Sequence, residues 1–181
     1  MQQPVQQSVP RPQVAMIPAN QEAYVQAERQ SNKAGASLMH KPVVFGTYAI
    51  YRGKKSAQEQ TYAWCCYVRG KDGEDLSQFI EKVEFELDPS FPTRIYTLTK
   101  APFEVHQVGW GMFTIGIKLW FIDRSLKPVE ALKELVLFDD SQPTTKRPIV
   151  TEEYNELVFV NPSPLMRKLL SEPKQMVPAA Q

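Results

Sequence analysis

Between residues 113 and 121 the side chains alternate without a break. Phe113, Ile115, Ile117, Leu119 and Phe121 fall on one side of an extended chain, and Thr114, Gly116, Lys118 and Trp120 fall on the other. A period of two gathers those residues onto one face only in a β-strand, and it requires that face to be covered by a core. Val83, Phe85 and Leu87 repeat the pattern against Glu84 and Glu86. Shorter runs of the same kind occupy 43–51, 62–69, 94–97, 103–106, 129–138 and 154–160, with turn residues such as Lys71-Asp72-Gly73 and Asp88-Pro89 between them. About eight short strands punctuated in this way predict an all-β chain folded as an antiparallel β-sandwich.

The flanks read differently. Residues 1–38 are rich in Gln, Pro and Ala, with Pro4, Pro10, Pro12 and Pro18 interrupting any regular element, so composition predicts a disordered arm before a sandwich at 39–162. Within the arm Asn20 is a capping residue for a short helix reaching Gln30, and the arm's other use is to dock a partner. After the sandwich, Ser163 and Pro164 head an apolar run, Leu165 to Leu170, that Pro173 stops; this predicts a short C-terminal helix within a 163–181 tail. Asp75, with Gln78 three residues on, has capping-box spacing for one helical turn.

Charge and motifs narrow the function. With 181 residues and 43% hydrophobic residues the chain can bury a core, and 21 Lys+Arg against 20 Asp+Glu give a formal net charge of +1. That balance supplies no basic field of the kind that drives phosphate-backbone binding, so direct DNA binding is not expected. Cys65 and Cys66 are adjacent in an apolar run, an arrangement that points the two side chains to opposite faces of a strand, fits a reducing compartment and leaves one thiol buried and inert. No apolar window reaches membrane-spanning length and the N-terminus lacks signal-peptide layout, so the expectation is a soluble intracellular protein with no membrane partner. Only His40 and His106 are present, and no phosphate loop, paired CxxC motif or nucleophile elbow occurs; the chain reads as a non-enzyme with no cofactor and no metal.

Two loops stand out against this background. Val108-Gly109-Trp110-Gly111-Met112-Phe113 holds an indole between two glycines, which favours exposure and close approach of a ligand to the backbone. Upstream, Asp88-Pro89-Ser90-Phe91-Pro92 offers a hydroxyl and a second ring. Two flat rings and one hydroxyl suit a flat, neutral, amide-bearing group. Each ring also has a plainer use, Trp110 in a packed turn and Phe91 as a plug in one end of the sandwich.

The order of these blocks is recognisable. Lys41-Pro42-Val43-Val44-Phe45-Gly46, Arg52-Gly53-Lys54-Lys55, Thr61-Tyr62-Ala63-Trp64, Phe79-Ile80-Glu81-Lys82-Val83-Glu84-Phe85, Pro89-Ser90-Phe91-Pro92, Gly109-Trp110-Gly111-Met112-Phe113, Phe121-Ile122-Asp123 and Phe159-Val160-Asn161-Pro162 resemble successive segments of the YEATS domain. The Gly-Trp-Gly-x-Phe loop looks most like the branch found in histone-exchange and histone acetyltransferase complexes. The resemblance implies an immunoglobulin-like sandwich in the nucleus that reads acylated lysine, acetyl or crotonyl, on a histone tail as a subunit of such a complex. It implies that Phe91 and Trp110 flank the acyl amide, that Ser90, Trp110 and Gly111 hydrogen-bond to it, and that Gly109 and Phe113 shape the loop. Gln60 and Asp88 stand where family members commonly carry His or Phe and His, and both positions border the pocket. Asp88, with Glu86, places carboxylate near its mouth, where it would attract basic residues of the tail or hold unmodified lysine. A scaffold subunit with a weakened pocket is the competing reading.

Overall fold

The computed structural model describes residues 11–53, 60–139 and 147–175. Among these described residues nine strands form two antiparallel sheets. The larger has the order β1–β9–β2–β3–β6, built from β1 (Gln13–Pro18), β2 (Leu38–Tyr51), β3 (Tyr62–Gly70), β6 (Phe103–Gly109) and β9 (Ile149–Val160). The smaller runs β5–β4–β7–β8, from β4 (Ile80–Glu86), β5 (Ile95–Leu98), β7 (Thr114–Phe121) and β8 (Val129–Glu134). The alternation read from the sequence is the burial alternation of the fold: Ile115, Ile117, Leu119 and Phe121 face inward beside Val83 and Phe85, against Val43, Phe45, Trp64, Leu157 and Phe159 of the other sheet. Trp64 is among the most buried side chains and packs at the centre of one end.

The expectation of disorder across residues 1–38 is overturned for the part that is described. Strand β1 pairs with β9 from Gln13↔Val160 to Pro18↔Asn155, and helix α1 (Gln21–Ala34) follows it. Composition undervalued a short segment whose backbone groups find partners on an existing sheet edge and whose Val14 and Met16 pack on the core. Asn20 does start the helix, accepting the Ala23 N–H at 2.8 Å, and Tyr24 lies on His40 with ring centroids 4.5 Å apart. The sandwich therefore recruits residues N-terminal to position 39, and the predicted eight strands become nine.

Other boundaries shift for local reasons. Strand β8 ends at Glu134, although Leu135 and Leu137 stay buried and Leu135 N–H donates to Phe113 O at 2.9 Å. Strand β9 begins five residues before the expected 154, where the consecutive acids Glu152 and Glu153 hide the period. Asp75 caps a 3-10 turn at Leu76–Gln78, but Gln78 does not complete a capping box. Its side chain instead ties down the far terminus, donating to Leu169 O at 3.0 Å and to Glu172 O, and accepting from Lys174 N at 2.8 Å. Helix α2 (Pro164–Ser171) starts as expected, with Ser163 Oγ accepting from Met166 N and donating to Asp123 Oδ2 at 2.5 Å.

Candidate functional site

At one end of the sandwich the β3–β6 ladder closes with the pair Tyr62↔Gly109. Gly109 leads from that pair into one of the two loops singled out above, Tyr62 is entered from Gln60, and the turn after β4 brings the other loop. Asp88 organises the turn: its Oδ1 accepts Ser90 N–H at 2.9 Å and its carbonyl accepts Phe91 N–H at 3.0 Å. The Ser90 hydroxyl and N–H beside it hold the Asp88 carboxyl below the usual carboxylate range. Ser90 itself is exposed, and Phe91 is directed back toward the core end.

Phe91 joins a three-ring cluster. It meets Trp64 edge-on at 5.9 Å between centroids and Phe113 at 5.4 Å, while Trp64 and Phe113 are 5.7 Å apart. The backbone of Gly109 covers this cluster closely. A methyl placed on its inner side would lie 3.4 Å from Trp64 Nε1 and 3.8 Å from Phe91 Cζ. The missing side chain thus leaves a small space floored by an indole N–H and walled by a phenyl tip. Next along, the Trp110 indole is 62% exposed and has no ring partner among the described residues. Ring stacking on its faces is open to a ligand.

The glycines act otherwise than the sequence suggested. Neither Gly109 nor Gly111 has the positive φ that favours glycine; Gly35, Gly53 and Gly73 do. Gly109 matters through the space its absent Cβ leaves, and Gly111 stands with nothing within 4 Å of a Cβ position. Gln60 sits two residues beyond the last ladder pair, with Arg52 Nη1 donating to its Oε1 at 3.1 Å and to its carbonyl at 3.4 Å. Glu86 is ion-paired with Arg94, Glu81 with Arg124, and Glu84 with Lys82, and the Trp120 indole N–H donates to Glu84. Of the two carboxylates expected near the mouth, Glu86 shares an exposed ion pair with Arg94, and Asp88 is hydrogen-bonded by Ser90.

Trp64 belongs to the hydrophobic core, and its Nε1–H is also buried at the Gly109 surface with no acceptor among the described residues. Trp64 and Gly109 lie on the inward parity of adjacent strands, Gly109 in the ladder's last pair and Trp64 two pairs before it. A buried unmade hydrogen bond costs about 1–3 kcal/mol, which a ligand or water acceptor would recover.

The comparisons agree with this architecture. Residues 59–139 match the model of the YEATS family. A Protein AF-9 homolog of Candida glabrata is 30% identical over 159 residues, covering 76% of this chain and 72% of its own. The chain belongs to the YEATS family. The Arabidopsis thaliana relative named transcription initiation factor TFIID subunit 14b is 43% identical over 128 residues, 67% of this chain, which spans about half (47%) of that relative's length. Among solved structures, the Yaf9 YEATS domain bound to H3K27ac superposes with a TM-score of 0.67 at 28% identity, covering 75% of this chain and 95% of that one. The β-sandwich of two antiparallel sheets is the shared frame.

Proposed function

We propose that this YEATS domain reads acylated lysine on histone tails, within a nuclear chromatin-modifying or transcription complex and without catalysing a reaction. The observation that carries the reading is the space at Gly109, bounded by Phe91 and the unpartnered Trp64 N–H, beside the exposed indole of Trp110. The likeness to a YEATS domain bound to acetylated H3 supports it.

The chemistry follows from charge. Acylation removes the lysine ammonium and creates a planar amide, which stacks on aromatic faces and leaves water at small cost. An unmodified ammonium in the same slot would lose its hydration without gaining a counter-ion, a penalty of several kcal/mol. Glu86 is already paired with Arg94, which weakens its power to offset that penalty. With the Ser90 hydroxyl hydrogen drawn toward Asp88, the oxygen's lone pairs face the ligand and accept the amide N–H. Trp110 and Gly111 offer main-chain groups to the acyl carbonyl, and Gly109 and Phe113 set the position of that loop. A flat crotonyl chain fits between rings at least as well as acetyl.

A scaffold reading draws on the half-buried state of Phe91 and on Gln60 being held by Arg52 rather than extended as a wall of the slot. Titrating acetyl, crotonyl and unmodified histone H3 peptides against the parent and Trp110→Ala separates the two. The reader predicts binding to acyl peptides that the substitution abolishes at constant melting temperature; absence of binding by the parent protein establishes the scaffold.

A further inference from the structure

On the outer face of the larger sheet, opposite the core, three strands bring Tyr48, Cys65 and His106 into one row: Tyr48 pairs with Cys65 across β2–β3, and Cys65 with His106 across β3–β6. Glu104 lies two residues before His106 on the same face. Cys65 Sγ is 3.8 Å from His106 Nε2, and Glu104 Oε1 is 3.0 Å from that same nitrogen. All three ligand atoms lie within 4.8 Å of one another. The Tyr48 hydroxyl is 3.4 Å from the other ring nitrogen, Nδ1.

We propose that Cys65, Glu104 and His106 form a three-ligand site for a borderline divalent cation, of which zinc ion is the representative. One thiolate, one imidazole and one carboxylate are the donor types such ions take, and the separations need only small side-chain movements to reach bonding distances of about 2.0–2.3 Å. Three protein ligands leave a fourth position to water. Charge balances: thiolate and carboxylate neutralise a dication, the histidine binds as the neutral ring, and the Cys65 proton goes to solvent. The histidine tautomer is set from behind. With Nε2 on the metal, Nδ1–H donates to the Tyr48 oxygen, the outer contact that orients metal-bound imidazoles. His106 and Glu104 are partly exposed, so an ion enters from above while Cys65 forms the buried base. Linear sequence hides the site because its ligands come from two strands and match no CxxC or HxxxH spacing. Occupancy would cross-link β3 to β6 three residues before Gly109, the ladder that ends at the acyl-lysine slot, yet the metal site itself does not depend on that reading.

Cobalt(II) titration of the tag-free protein tests it. Expected are a thiolate-to-cobalt absorption in the near ultraviolet, its displacement by zinc, and a melting temperature that climbs with zinc concentration. Cys65→Ser should abolish the absorption and Cys66→Ser should preserve it. His106→Asn and Glu104→Gln, at exposed positions that leave folding intact, should each weaken cobalt binding about 10- to 100-fold, and Tyr48→Phe about tenfold. No thiolate absorption in the parent at excess cobalt overturns the proposal. So does absorption that survives His106→Asn and Glu104→Gln undiminished.

Discussion

Replacing Gly109 by alanine isolates the slot from the fold. The added methyl would sit 3.4 Å from Trp64 Nε1 and 3.8 Å from Phe91 Cζ, in ordinary van der Waals contact or slightly inside it, and the backbone there does not adopt positive φ. Folding therefore loses little. Restricting the unfolded chain stabilises by about 0.4–1 kcal/mol where alanine fits, which offsets the close approach to the indole nitrogen. We expect a melting temperature within ~3 °C of the parent's. A ligand, however, competes for the same space, and forcing a methyl into a filled contact costs about 1–3 kcal/mol, or about 5- to 140-fold in Kd. Thermal unfolding followed by fluorescence, together with anisotropy titration of labelled acetyl-lysine and crotonyl-lysine peptides, measures both quantities on one sample. Unchanged affinity would show that the ligand does not use the inner side of Gly109, and the assignment of Phe91 and Trp64 to the slot would fall with it. Gly46→Ala is the contrast: its methyl would overlap the Tyr67 ring at 2.2 Å, so that variant should lose roughly 3 kcal/mol or more of stability.

Ser90→Ala, at an exposed position, should leave thermal stability unchanged and weaken acyl-peptide binding about 5- to 100-fold in calorimetry, the cost of leaving the ligand amide N–H without its acceptor. Ser163→Ala removes the α2 cap and the bond to Asp123, and denaturant titration should register a loss of about 1–2 kcal/mol. Glu152 accepts from Tyr67, Tyr154 and Arg69, with the Tyr67 bond foremost in pulling its carboxyl down from 4.5 to about 2. A depressed carboxylate stabilises the fold fully above its unfolded value. Stability should thus decline as pH falls from about 4.5 toward 2, by at most about 3 kcal/mol, and Glu152→Gln should flatten that decline in acid unfolding curves.

What could be read from residues alone was what repeats locally or depends on chain order. The period of two fixed the faces of β4 and β7 because neighbouring side chains in any strand point opposite ways, whatever packs on them. Ser163-Pro164 and Asn20 marked helix starts because a cap acts on N–H groups two or three residues away. The succession of blocks from Lys41 to Pro162 carried the family, and within it Ser90, Phe91, Gly109, Trp110 and Phe113 came out as one set.

Contacts between distant segments decided the rest. Strand β1 exists because β9 offers it an edge, an inducement that Gln- and Pro-rich composition does not record. Gln78 looked like half of a capping box and instead fastens residues more than ninety positions away. Gly109 was read as letting a ligand approach the backbone, but that its inner side faces Trp64 Nε1 and Phe91 Cζ is contained in no string of letters. Cys65, Glu104 and His106 converge only through the β3–β6 register. Backbone periodicity and capping are short-range and thus written in order along the chain, whereas a cavity, an orphaned indole N–H or a ligand triad is a relation between strands, fixed when the sheets pair and close on their core.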